Sequence, residues 1–322
     1  MKILVTGGAG FIGSHVTDAY IAEGHDVVVV DDLSTGRHEF VNPKARLVQL
    51  NIFSDYAKLE TLFREERFEL VNHHAAQVDV RVSVANPQLD AHVNILGTLN
   101  LLKCCTQFDV RQFLFVSSGG VLYGEPDKLP ATEDFPKKPL SPYGVSKLTI
   151  EYYLFSFRLN FGLHYLALRY ANVYGPRQTP KSEATAVSTF SRQLLNGEMP
   201  TIFGDGTQTR DYIFIADIVR ANLLATEKLF ALNKSVPYQL DDLAFNIGTG
   251  REISVNEIYS QLKKQVGFVG EARYAPPRTG ELLRSALSSA KAEKLLGFRA
   301  KTEFSEGLKQ TIAWMRSQET SQ

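Results

Sequence analysis

Along the first 170 residues, short runs of β-branched and aliphatic residues alternate with longer stretches whose apolar residues recur at helical spacing. Lys2–Thr6, Asp26–Asp31, Arg46–Leu50, Glu69–Asn72, Gln112–Val116 and His164–Arg169 read as strands, and Phe11–Glu23, Leu89–Phe108 and Tyr143–Phe161 as helices. Continuous apolar runs such as Val27–Val30 suit strands buried on both faces. With helices between them, they predict a doubly wound α/β fold around a parallel sheet. After Tyr174 the texture breaks into turns and shorter elements, among them Gly175-Pro176, Phe203-Gly204-Asp205-Gly206 and Pro276-Pro277. The expectation is therefore a dinucleotide-type domain over residues 1–174 and a smaller, mostly helical lobe over 175–322. Asp211–Ala225 and Ala244–Ile247 are expected to return to the first domain.

The glycines decide what the first domain holds. Ile3-Leu4-Val5-Thr6 runs into Gly7-Gly8-Ala9-Gly10-Phe11-Ile12-Gly13 and then a helix, so backbone amides can approach a pyrophosphate at a helix start while Gly13 lets the helix pack closely. The next strand ends at Asp31, about 20 residues on, where a carboxylate can bond ribose hydroxyls. This is a Rossmann-type dinucleotide site. The charge of Asp31 would repel the 2'-phosphate of NADP and so favours NAD. Arg37, the one nearby cation that could receive such a phosphate, reads more simply as a solvated loop charge.

A second constellation supplies reactivity. Tyr143-Gly-Val-Ser-Lys147 opens a helix, and residues four apart share a face. A lysine cation and a positive nicotinamide both favour the phenolate, so this tyrosine can act as a base near neutrality. His73 and His74 follow a buried strand and read as packing and loop hydrogen bonding rather than as a catalytic pair.

Composition narrows the ligands. Lys and Arg total 35 against 35 acids, so no net field draws the chain to nucleic acid or an anionic membrane, and an anionic ligand must meet locally placed cations. Apolar runs are too short to span a bilayer, and Met1 leads directly into a strand with no secretory signature. The only two cysteines, Cys104 and Cys105, are neighbours in a helix-like stretch and point in different directions, which argues against a disulfide and for a reducing cytoplasm. No zinc-type spacing occurs, and no metal is expected.

On these residues the chain resembles the extended short-chain dehydrogenase/reductases, and among them the UDP-glucose (UDP-galactose) 4-epimerases. The resemblance rests on Gly7 to Gly13, Asp31 to Gly36, His74-Ala75-Ala76, Ser117 to Gly124, Tyr143 to Lys147, Arg169 to Pro176 and Arg210-Asp211-Tyr212. It implies a tightly bound NAD, a UDP-sugar substrate, a transient 4-keto sugar, and Tyr143, Lys147 and a hydroxyl from the Ser117–Gly124 segment as catalytic groups. For the cofactor it implies Gly7, Gly10, Phe11, Ile12, Gly13, Asp31, Asp32, Asn51, Ile52, Ala75, Ala76, Gln77, Asn94, Tyr143, Lys147 and Tyr170. For the substrate it implies Ser118, Asn172, Arg210, Arg278, Glu281 and Ser285, the small Ser285 leaving room for an N-acetyl group. It also implies a homodimer, for which Leu89–Phe108 and Tyr143–Phe161 can supply a four-helix contact; their apolar faces can equally be buried against the sheet.

Several positions depart from the family pattern. Gly119 stands where a serine or threonine usually bonds the reacting oxygen, so Ser118 is carried over in its place. Asn51 replaces an aspartate, Asp32 an asparagine, and Glu281 a more usual aspartate. The 4,6-dehydratases carry an Asp-Glu pair where this chain has Gly120-Val121, which counts against dehydration. Decarboxylation or epimerisation of a uronic acid, and a silent NAD sensor, remain as alternatives.

Overall fold

Seven of the apolar runs pair into one sheet. A computed structural model describes residues 1–179, 185–237, 239–277 and 282–319. In it β1 (Lys2–Thr6), β2 (Asp26–Asp31), β3 (Arg46–Gln49), β4 (Leu70–His73), β5 (Gln112–Ser118), β6 (His164–Tyr170) and β7 (Ala244–Ile247) lie in the order 7-6-5-4-1-2-3. Every neighbouring pair is parallel. The order reverses between β1 and β4, which opens a crevice at the carboxyl ends of the strands. Thr6, Asp31, His73, Ser118 and Tyr170 all end strands on this edge.

Helices cover both faces. On one side α1 (Phe11–Ala22) packs with the long helix Ile215–Ser235, and Asn72 of β4 donates to Tyr20 and Asn222 of these two helices. Its neighbour His73 points to the opposite face, as strand alternation requires, and bonds Thr98 of α2 (Gly97–Gln107). Beside α2 lies α3 (Pro142–Phe161). Ser141 caps it by accepting from Gly144 N at 3.2 Å, Pro142 occupies its first turn, and Gly162 at φ +69° ends it.

The single helix expected over Leu89–Phe108 is not uniform. Pro87–Asp90 is α-helical, Ala91–Leu96 is a π-helical turn, and α2 follows. One widened turn hardly changes the spacing of apolar residues, so hydrophobic periodicity does not reveal it. Strand ends elsewhere shift by a residue or two, notably β5, which runs on to Ser118. Beyond β6 the chain forms the helices Ala186–Leu195, Val255–Val266, Ala290–Leu296 and Phe304–Glu319 with short two-stranded pairings between them.

A buried ion pair joins the two halves of the site. Arg169 of β6 and Glu151 of α3 are essentially inaccessible, and the guanidinium bonds the carboxylate through Nε at 3.0 Å and Nη2 at 2.5 Å. The same guanidinium donates to Tyr123 Oη and Asp241, while Ser117 Oγ donates to Glu151. Removing one partner would strand a charge in the core, so this cluster ties the β5 loop to α3 strongly.

Candidate active site

The turn after β1 is built from backbone. Gly7 lies at φ +69°, and a Cβ there would come within 2.7 Å of Ala75 N and 2.9 Å of the His74 carbonyl carbon. Gly10 N donates to Gly7 O at 3.0 Å, and a Cβ on Gly13 would overlap that same oxygen. Three glycines therefore bring β1, α1 and the end of β4 closer than side chains permit. The first amides of α1, at Phe11 and Ile12, face the crevice edge without intrahelical acceptors, as at any helix start. Phe11 is buried beside His15, and Ile52 lies buried against Gly97 of α2.

Asp31 sits at the end of β2, folded over the turn. Its Oδ2 accepts from Ala9 N at 3.0 Å and its Oδ1 from Leu33 N at 2.9 Å. Burial pushes its carboxyl above the ordinary carboxylate range, while the two amides hold it down. A carboxylate keeps spare lone pairs after two such bonds, which suits ribose hydroxyls. Arg37 is exposed, pairs with Glu39 at 2.9 Å and lies over the Phe40 ring, in keeping with a solvated loop charge. Next to Asp31, the two departures from the family pattern meet: Asn51 Nδ2 donates to Asp32 Oδ2 at 2.8 Å. In this chain the amide and the carboxylate at these two positions are thus joined by a hydrogen bond. The backbone cradle, the helix start and the acceptor at Asp31 together fit NAD.

Tyr143 and Lys147 occupy the first two turns of α3, both buried. Lys147 Nζ donates to Val116 O at 2.8 Å and lies 5.7 Å from the centre of the Tyr143 ring and 4.9 Å from that of Phe115. The ammonium is thus anchored to the end of β5 beside the phenol. Ala75 N bonds Thr6 Oγ1, and Asn94 grips the backbone of Gln77 through both its N–H and its carbonyl, at 2.9 Å each. Ala76 lies between these two anchored residues. Tyr170 is buried under the crevice and accepts from Asn222.

A side chain at position 119 would have to displace the end of the Leu287 side chain. A Cβ on Gly119 would overlap Leu287 Cδ1 and lie 2.9 Å from Cδ2. The main chain of Leu287 is held in place, since its backbone N donates to the buried Asp211 and its neighbours pair with Ala131 through Ala286 O and Ser288 N. Ser117 is committed to Glu151. Ser118 precedes the helical turn Gly119–Leu122 and makes no capping bond. Gly120 faces Asn172, whose Oδ1 would lie 3.4 Å from a Cβ there.

Of the expected substrate residues, Asn172 is anchored through its backbone N to Asp211 O, and Ser285 is buried beside the segment that carries Leu287. Arg210 is partly exposed; among the described residues its guanidinium donates to Thr209 O and meets no carboxylate. Arg278 and Glu281 lie outside the described residues. Reading the sequence missed Asp90, Glu151 and Leu287. Asp90 and Glu151 each stand four residues from an expected site residue, Asn94 and Lys147, one helical turn away on the same face; that placement was the available signal.

His74 carries a pH signature. Neither ring nitrogen has solvent contact or a hydrogen-bond partner among the described residues, and burial, with the Lys147 charge behind it, lowers its pKa to about 3. An unfolded histidine protonates near pH 6.5. Native stability at this residue is therefore intact above about pH 6.5 and declines as the pH falls toward 3. In denaturant titrations, wild type should lose about 2 kcal/mol more than His74→Leu between pH 7.5 and 5.0. Equal losses would contradict a neutral, buried imidazole.

Fold and site together define a dinucleotide-dependent enzyme of the tyrosine–lysine type. The pattern of the NAD dependent epimerase/dehydratase family matches residues 3–248, and the chain belongs to that family. It is 39% identical over 322 residues to a UDP-glucose 4-epimerase of Mycolicibacterium smegmatis, covering 98% of this chain and 99% of that one. The UDP-glucose 4-epimerase of Thermotoga maritima, solved with UDP-glucose, superposes with a TM-score of 0.92 at 44% identity, over 99% of this chain and 100% of that one. That of Thermus thermophilus, solved with NAD, gives 0.90 at 40% identity, over 98% and 99%.

Proposed function

We propose that this chain is an NAD-dependent nucleotide-sugar 4-epimerase that interconverts UDP-glucose and UDP-galactose. The observation that carries the reading is the Tyr143–Lys147 pair, anchored to the end of β5 at the mouth of a crevice that fits NAD. NAD is held at Gly7–Gly13 and Asp31 and, when bound, supplies a hydride acceptor and donor. Tyr143 Oη takes the proton of the sugar C4 hydroxyl, and the Lys147 ammonium stabilises the resulting phenolate. Ser118 Oγ bonds the reacting oxygen. After the 4-keto sugar has turned over, Tyr143 returns the proton to oxygen on the opposite face. The gain comes from holding these groups in place rather than from a metal.

Arg210 and Asn172 meet the diphosphate, with Arg278 and Glu281 assigned to the same ligand by resemblance. The small, buried Ser285 leaves N-acetylated UDP-sugars as further substrates. Two protomers associate through the adjoining helices Pro87–Gln107 and α3, whose outer faces expose Leu89, Leu96, Val145, Tyr152 and Leu159; a single-protomer mass by light scattering would overturn that assignment. Among the described residues no helix is long and apolar enough to cross a membrane. The buried free thiols of Cys104 and Cys105 suit a reducing cytoplasm.

The test is incubation with UDP-glucose, UDP-N-acetylglucosamine and UDP-glucuronate, with product stereochemistry read by NMR. C4 inversion of UDP-glucose is expected. Loss of carboxylate from UDP-glucuronate without C4 inversion of the others would replace the reading with a decarboxylase, and no turnover at all would favour an NAD sensor.

A further inference from the structure

Asp90 is fully buried, and among the described residues it meets no cation within ion-pair distance. Its Oδ2 accepts from Ser146 Oγ at 2.6 Å, and its Oδ1 from Asn94 Nδ2 at 2.9 Å and Gln77 Nε2 at 3.1 Å. Burying a carboxylate without a cation is expensive, and an apolar residue would pack these helices at less cost. Its bonds supply a reason for its presence. On one side, Asn94 clamps the backbone of Gln77, Thr98 Oγ1 donates to Asn94 O at 2.6 Å, and His73 bridges Thr98 and Thr6. On the other side stands Ser146, the residue before Lys147. A buried chain of hydrogen bonds thus runs from the end of β1, at the glycine turn, to the helix that carries Tyr143 and Lys147.

Other buried polar contacts also hold α3: Glu151 pairs with Arg169, and Arg158 donates to the carbonyls of Asn233 and Pro237. Those contacts tie the helix to β6 and to the segment after the helix Ile215–Ser235, one turn or more beyond Lys147. The Asp90–Ser146 bond instead ties the turn that carries Tyr143 and Lys147 to the segment that holds Asn94 and Gln77. The π-helical turn Ala91–Leu96 begins right after Asp90 and contains Asn94, so it presents that side chain both to Asp90 and to the Gln77 backbone.

We infer that Asp90 is a positioning residue for the reaction: through Ser146 it sets the Tyr143–Lys147 pair in register with the cofactor-side segment held by Asn94 and Gln77. The inference rests on the epimerase reading. A displacement of about 1 Å between reacting groups lowers rates by about 100-fold, which sets the expected effect of losing this tie.

The experiment compares Asp90→Ala, Asp90→Asn, Ser146→Ala and the Asp90→Ala/Ser146→Ala double variant with wild type, using UDP-glucose. Asp90→Ala should lower kcat by about 100-fold with KM little changed, and should move the acidic limb of the pH–kcat profile to higher pH as the ammonium and phenol separate. NAD released from the denatured protein should remain stoichiometric. Asp90→Asn should recover most of the activity, because its amide can donate to Ser146 Oγ while its carbonyl keeps Asn94 and Gln77. Ser146→Ala should fall in the same direction as Asp90→Ala, and the double variant should be no worse than Asp90→Ala alone. If Asp90→Ala does not fold, Ser146→Ala and Asp90→Asn carry the test. Variants with lowered melting temperature but wild-type kcat and pH profile would overturn the inference and leave the epimerase standing. A wild-type protein that does not invert C4 overturns both.

Discussion

Tyr143→Phe is expected to lower kcat by about a thousandfold while leaving a folded protein that still contains NAD. The substitution removes one oxygen from a buried ring, so packing is conserved and Lys147 keeps its bond to Val116 O. Neither nearby histidine can take over as base. His74 is held neutral with a pKa of about 3, and burial likewise drives His73 far below its ordinary value. The hydroxyl of Ser118 is far too weak an acid to hold a proton vacancy at neutral pH. NMR of the product mixture gives the rate, and absorbance of the nucleotide released on denaturation gives the cofactor content. Undiminished turnover would remove Tyr143 from the chemistry, while loss of NAD or of fold would mean that the residue does more than transfer a proton.

Gly13→Ala should release the cofactor. A Cβ at this position overlaps Gly7 O, and Gly7 cannot retreat, because it already packs on the backbone of Ala75 in a left-handed conformation. The only relief is for α1 to lift from β1, which destroys the amide cradle. A destabilisation of about 3 kcal/mol or more is expected, together with protein purified free of NAD. Gly24→Ala is the matched control. Gly24 also has a positive φ, at +82°, but a Cβ there meets nothing within 4 Å, so only the backbone strain of about 1 kcal/mol applies and NAD should be retained. Equal cofactor content in the two variants would show that close approach at the turn is not what holds the dinucleotide.

How much of this was legible depends on which interactions are local. The strands are runs of Val, Ile and Leu with polar ends, so the pattern Asp-Val-Val-Val-Val-Asp marks β2 almost to the residue. The glycine turn and the pair Tyr143 and Lys147 are likewise close in sequence, and each carries its own geometry. By contrast, the side chain that Gly119 packs against lies 168 positions away, in a leucine that no local pattern connects to it. That Ser117 bonds Glu151 and that Gly119 abuts Leu287 could likewise not be read from local sequence. Asp90 was hidden differently. With Asn94 and Thr98 on the same face it reads as part of a solvent-facing polar stripe, and only the packing of α3 against the π-helical turn turns it inward.

The Asp32–Asn51 bond bears on how such sequences diverge. Judged one position at a time, both residues look like losses from the family pattern, yet in this chain they bond each other. An ancestor with asparagine at 32 and aspartate at 51 could not have reached the present pair through two carboxylates without placing like charges about 3 Å apart. A route through two amides meets no such barrier, since one amide can donate to the other. Lineages caught midway should therefore carry Asn–Asn at these positions and seldom Asp–Asp.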